Sequence, residues 1–147
     1  MITGRAYNEI KVGDEFRSAM TMTETHLVIG GGLFGDINPL HVNQQFAAQS
    51  RFGGRIAHGF LTSAFMAAPL GHVFYETAIA YVEHNCRFIA PVRPGDTLNT
   101  VWTIVGMEDR PKHDGGLVHL EGHCRNQDGV EVAQARAQFL VANATSG

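Results

Sequence analysis

Apolar and polar positions along the chain follow two regimes that meet near Gly71. Beyond it, apolar residues alternate or bunch in short runs rich in β-formers, which predicts strands at about Ile79 to Ala90, Thr97 to Met107, Gly116 to Arg125 and Val130 to Ala142. Turn residues separate them: Pro91 to Gly95, Arg110 to Gly115, and Asn126-Gln127-Asp128-Gly129, whose Asp-Gly is a hairpin signal. Before Gly71 the pattern is helical after one strand. Val12-Gly13-Asp14-Glu15-Phe16 predicts a turn opening a strand through Met22, and Thr23 suits the N-cap of a short helix running toward Phe34. Glycines 30, 31 and 32 each cost roughly 1 kcal/mol relative to alanine there, so packing must hold that helix or it ends early. Asn43 suits the cap of a second helix, Gln44 to about Ser50, ended by Gly53-Gly54. From His58 to about Leu70, residues Phe60, Leu61, Ala64, Phe65, Met66, Ala67 and Ala68 leave little polar surface, which predicts a helix buried on nearly all sides.

One long buried helix followed by a meander of antiparallel strands is an α+β layout, a sheet wrapped around a helix. The 147 residues fit one domain, residues 1–147, with a single core. A composition 44% hydrophobic and 17% charged is that of an ordinary globular chain, and a net charge of −3 carries no electrostatic footprint for nucleic acid. Cys86 and Cys124 sit in strand candidates without metal or redox spacing and read as buried reduced thiols. No basic segment followed by an apolar run opens the chain, and no stretch approaches the ~20 apolar residues that span a bilayer, so a cytoplasmic protein without membrane contact is expected. The glycine cluster lacks the Lys-Ser/Thr of a phosphate loop.

The chemistry concentrates in Gly35-Asp36-Ile37-Asn38-Pro39-Leu40-His41-Val42-Asn43. Pro39 biases Asn38 toward extended geometry and predicts a non-helical turn. Asp36 and His41 on opposite sides of such a turn can converge on one water, as proton transfer requires. Taken alone, the pair is better read as a turn former and a solvated or capping histidine. His119, Glu121 and His123 alternate on one strand face, where they read either as metal ligands or as a solvent-facing polar strip. With Val118, Leu120 and Cys124 on the opposite, core side, the polar strip is the better reading, and no metal is expected.

Two further segments give the pair a context: Phe52-Gly53-Gly54-Arg55-Ile56-Ala57-His58-Gly59-Phe60-Leu61-Thr62-Ser63-Ala64 and Arg87-Phe88-Ile89-Ala90-Pro91-Val92-Arg93-Pro94-Gly95-Asp96-Thr97-Leu98. Together the three blocks resemble the MaoC-like hydratases of the hot-dog fold, the group that includes R-specific enoyl-CoA hydratases, in order from about Thr23 to Leu98. The resemblance implies a hydro-lyase that adds water across a trans-2-enoyl thioester, or removes it. Asp36 and His41 then carry the proton transfer, and the backbone N–H of Gly59 holds the charge on the thioester oxygen. Asn38 would orient the pair and His58 would hydrogen-bond at the helix start. Either Ser63 or Thr62 would supply the hydroxyl of the family serine, whose place an ungapped reading gives to Ala67, or no hydroxyl is used there. Arg87 and Arg93 are candidates for CoA phosphates. The implied substrate is a CoA or acyl-carrier-protein thioester, with no metal or redox cofactor. A homodimer or larger homo-oligomer is implied, as exposed sheet edges also suggest. A hot-dog thioesterase is the second reading, disfavoured because His58 to Leu70 contains no Asp or Glu. The third is a non-catalytic acyl-CoA-binding or structural hot-dog protein, against which stands the presence of both Asp36 and His41.

Overall fold

In the computed structural model, which describes residues 4–144, strand β1 (Glu15–Thr21) leads into four helices: α1 (Glu24–Phe34), α2 (Pro39–Val42), α3 (Gln44–Gln49) and α4 (Gly59–Val73). Strands β2 (Ala78–Phe88), β3 (Thr97–Arg110), β4 (Gly115–Arg125) and β5 (Glu131–Ala142) follow. All five strands form one antiparallel sheet in the order β1-β3-β4-β5-β2, curved around α4. The α+β layout is as expected, but the sheet is a meander only through β3, β4 and β5. Strand β2 lies outside β5, because the chain leaving α4 emerges at that edge and then crosses back to β3. The crossing segment is pinned at both ends: Ile89 donates to the Val132 carbonyl in β5 (2.9 Å), and Gly95 donates to the Met22 carbonyl just beyond β1 (2.7 Å). In between, Ala57 donates to Val92 (2.7 Å), which seats the start of α4 on the crossing.

Alternation along β4 sends Val118, Leu120 and Cys124 to the concave side, where they join Trp102 and Ile104 of β3 and Val132, Phe139 and Val141 of β5. From α4 come Met66 and Leu70, both fully buried. Each such aliphatic or methionine side chain contributes roughly 1.5–3 kcal/mol on burial. Trp102 Nε1 donates to the Met66 carbonyl at 2.8 Å, so the helix is fixed to the sheet by direction as well as by area.

Three expectations need correction. Helix α4 is not covered on nearly all sides: Leu61, Thr62, Ser63, Met66 and Leu70 are buried, whereas Phe60 is 76% exposed. A single curved sheet covers one side of a helix, and apolar composition does not say what covers the other. Pro39 does not keep its turn out of helix. It takes the first position of α2, where its missing N–H costs nothing, after an extended Asn38 (ψ 132°). Cys86 is half-buried, while Cys124 is fully buried; both are free thiols pushed above their ordinary value, mainly by burial.

Helix α1 survives its glycines because one of them is needed. A Cβ on Gly30 would stand 2.9 Å from Leu61 Cδ1, so the two helices cross only where no side chain intervenes. At its start the Thr23 N–H donates to His26 Nδ1 (2.9 Å). Among the described residues no helix is long and apolar enough to cross a membrane.

Candidate active site

The segment between α1 and α2 folds by local side-chain to backbone bonds. Asn38 Oδ1 accepts from Leu40 N–H at 3.0 Å and caps α2, while the Asn38 main-chain N–H donates to Asp36 Oδ1 at 3.2 Å. One carboxylate oxygen of Asp36 is thereby held, and the other, Oδ2, faces His41 Nε2 at 3.8 Å. Helix α2 presents His41 to this carboxylate, and its side chain is 12% exposed against 49% for Asp36.

The tautomer of His41 follows from its other nitrogen. Nδ1 lies 2.8 Å from the carbonyl of Ile56, which can only accept, so Nδ1 carries a proton and, in the neutral imidazole, the lone pair is left on Nε2, toward Asp36. A gap of 3.8 Å between a carboxylate oxygen and a basic nitrogen is too long for a direct hydrogen bond and accommodates a bridging water.

His58, fully buried at the N-cap of α4, backs the pair. Its ring lies against that of His41, with centroids 3.9 Å apart and planes tilted by 31°. Its Nε2 donates to the main-chain carbonyl of Asp36 at 2.9 Å. Its Nδ1 is buried and, among the described residues, without a hydrogen-bond partner. Asp36, His41 and His58 also form the one group of three metal-ligating side chains among the described residues. Two of their four ring nitrogens are committed to main-chain carbonyls.

Gly59 opens α4, and the first N–H groups of a helix have no acceptor inside it. The positive end of the helix dipole sits at the same point. A Cβ on Gly59 would stand 2.9 Å from Phe88 Cε2, so only glycine lets the strand-end ring and a ligand approach this amide together. A cavity of about 370 Å³, lined among others by His41, Gly59, Thr62, Phe88, Ile89 and Pro91, opens here. His41 also borders a smaller, mostly apolar cavity of about 230 Å³ under α1, where Gly31 and Gly32 form part of the wall.

Asp36, His41, Asn38, His58 and Gly59 therefore meet in space. Ser63 does not join them: it bonds His84 instead, and the hydroxyl-bearing residue that lines the cavity is Thr62. Arg87 lines a shallow groove on the convex face with Glu83, Asn85, Glu121 and Arg136, across the sheet from the pair. Arg93 acts as a loop staple: its guanidinium donates to the Phe52 carbonyl and its main-chain N–H to Asp96 Oδ2 (2.8 Å). His119 and His123 bond Glu108 and Glu131, each at 2.6 Å, on the exposed strip. Sequence reasoning missed the Ile56 carbonyl, which sets the tautomer of His41, because a main-chain acceptor has no side-chain signature.

The MaoC like domain family matches residues 6–121 of the chain. The chain is 37% identical over 106 residues to an (R)-specific enoyl-CoA hydratase of Rhodospirillum rubrum, covering 72% of this chain and 74% of that protein. Among solved structures it superposes on the unliganded R-hydratase PhaJ1 of Pseudomonas aeruginosa with a TM-score of 0.83 at 29% identity, covering 95% of this chain and 86% of that one. A Mycobacterium tuberculosis protein described as having a double hotdogfold matches at a TM-score of 0.86 and 17% identity, covering 98% of this chain and 46% of that one, a likeness of fold alone.

Proposed function

The chain belongs to the MaoC-like domain family, and we propose that it is a hydro-lyase that interconverts an enoyl thioester and its (R)-3-hydroxyacyl thioester. The observation that carries the reading is His41 Nε2 facing Asp36 Oδ2 at 3.8 Å, too far to bond each other and close enough for one water beside them to bond both, near an apolar cavity that also holds the Gly59 amide.

A water bridging Asp36 and His41 hydrogen-bonds to both as acceptors. As its oxygen bonds to carbon 3 of the enoyl chain, one of its protons passes to the pair. The electron pair of the double bond moves to the thioester oxygen, where the Gly59 N–H and the start of α4 hold the charge. The enolate then collapses and takes a proton at carbon 2 from the same pair, on the same face, so the addition is syn and the pair returns to its starting state. Dehydration is the reverse sequence.

The acyl carrier is CoA or an acyl-carrier protein, and the working unit is a homodimer, supported by the open β2 edge and by exposed apolar residues on α1. The test follows loss of the conjugated enoyl absorbance with crotonyl-CoA. Wild-type turnover that falls by roughly 10²–10⁴ in Asp36→Asn, with the fold retained, is the expected result, the usual worth of a positioned proton-transfer group. No turnover across short, long, branched and dicarboxylic enoyl-CoAs would sink the proposal, and release of free CoA would move it to a thioesterase.

A further inference from the structure

Ser63, His84 and Tyr81 form a second polar chain that the proposed chemistry does not use. Ser63 lies on α4 one turn beyond Gly59, and its Oγ is 2.7 Å from His84 Nε2 on β2. His84 Nδ1 is 2.6 Å from the hydroxyl of Tyr81 on the same strand. Both ends are fixed: Ser63 is 9% exposed, and the Tyr81 ring stacks on Phe139 with centroids 4.1 Å apart. Burial lowers the His84 imidazole and pushes the Tyr81 hydroxyl up to about 12, so the ring is neutral at physiological pH. A neutral imidazole satisfies both bonds with its one N–H and one lone pair.

Strand β2 runs antiparallel to α4 here, with Phe88 against Gly59 and His84 against Ser63. Gly59 and Thr62 on α4 line the apolar cavity. The next residues along that side of the helix do not: Ser63 is tied across to His84, and Met66 is fully buried with its carbonyl taken by Trp102. On α4 the cavity lining stops at Thr62, and four residues or about 6 Å of helical rise beyond the Gly59 amide the Ser63–His84 bond ties helix to strand. A wall of leucine or methionine yields to a longer ligand by changing rotamer. A wall hydrogen-bonded in series yields only by breaking the bond of the buried Ser63 hydroxyl, while the Tyr81 end is 41% exposed.

Resting on the hydratase reading above, we infer that the Ser63–His84–Tyr81 chain is the end wall of the acyl channel and restricts the enzyme to short-chain enoyl thioesters. His84 is a specificity-determining residue, and its role is read from a ratio rather than from activity alone. The experiment compares kcat/KM for crotonyl-CoA and trans-2-decenoyl-CoA in wild type, His84→Ala and His84→Gln, with a thermal melt of each. Wild type favours crotonyl-CoA. His84→Ala raises the decenoyl-to-crotonyl ratio by roughly tenfold or more, the scale of a small mismatch in an apolar pocket. His84→Gln, whose amide can bond both Ser63 and Tyr81, keeps the wild-type ratio. A wild type that turns over both thioesters equally well overturns the inference even if His84→Ala fails to fold. So does a folded His84→Ala whose ratio stays within about twofold of wild type, the result expected if the acyl chain occupies the cavity under α1. Absence of turnover of both thioesters by folded wild type removes the hydratase reading itself, and the wall with it.

Discussion

At the residue scale the site is a set of short local devices stacked on one another. Asp36 is held by its neighbour Asn38, His41 by the Ile56 carbonyl, and both by His58, which grips the main chain of one and the ring face of the other. The pair was legible in the sequence because its members are five residues apart, so their meeting needs only a turn. Ile56 and His84 were not legible, because each acts through a contact made by tertiary folding alone. His58 belongs between these cases: its place beside Gly59 was readable, but its partner was not. Replacing it by phenylalanine keeps the ring under His41, removes the bond to the Asp36 carbonyl, and also removes the buried, unpartnered Nδ1. Losing a partner and losing an unsatisfied buried group each count for about 1–3 kcal/mol with opposite sign, so stability should change little. Asp36 becomes free to drift, so His58→Phe should lower kcat on crotonyl-CoA by tenfold or more, with KM and Tm near those of wild type. Wild-type kcat in a folded His58→Phe would show that the Asp36 backbone needs no such anchor.

At the element scale the strands and the helices other than α2 were readable almost to their ends, because alternation and helical periodicity are local properties. Strand order was not, since nothing in the periodicity of β2 states that it pairs with β5 rather than with β3. The glycine-rich helix α1 shows the same division. Sequence alone gives Gly30 and Gly32 the same cost, yet the space around them differs: Leu61 crowds Gly30, while nothing lies within 4 Å of a Cβ added at Gly32. Gly30→Ala gains roughly 1 kcal/mol of helix propensity but meets overpacking of about 1–3 kcal/mol. It should lower Tm, and Gly32→Ala should raise it by the uncompensated propensity. Matching shifts in the two variants would mean that α1 does not press on α4 as described.

The convex face of β3, β4 and β5 carries a second element-scale consequence. Glu108 and Glu131 are held below the ordinary carboxylate value of 4.5, chiefly by hydrogen bonds from His119 and His123 and then by Arg110 and Gln134. A depressed folded value means that the contribution is fully present above the unfolded value of about 4.5 and is lost as pH falls through the folded values below it. Both carboxylates lie in solvent, so the effect is small. The urea midpoint should therefore decline on acidification below about pH 4.5, with a shallower slope in the His119→Ala/His123→Ala double variant. Parallel slopes would assign the acid sensitivity elsewhere.

At the scale of the whole molecule one chain leaves much apolar surface in water, which is what supports the proposed homodimer. On α1 and the segments beside it, Val28 is 64% exposed, Leu33 76%, Ile37 72% and Phe60 76%, a concentration that soluble surfaces seldom leave uncovered. Strand β2 is an eleven-residue edge with Ile79, Val82 and Phe88 about half exposed and, among the described residues, no strand on its outer side. Open edges of this kind are templates for another strand. A second copy of the chain answers both features, because a two-fold axis would place β2 beside β2 and cover apolar surface on each subunit at once. The cavity at Gly59 reaches Phe88, the last residue of that edge, and Ile89 just beyond it, so covering the edge also shields the proposed acyl site from water. Light scattering on the eluted protein should therefore give twice the mass of one chain. Val82→Lys sets a charge on the pairing edge without touching Asp36, His41 or Gly59, and should shift the mass toward one chain and raise KM for crotonyl-CoA together. A monomeric wild type with full activity would show that one chain closes its own site, and the exposed strip on α1 would then need another occupant.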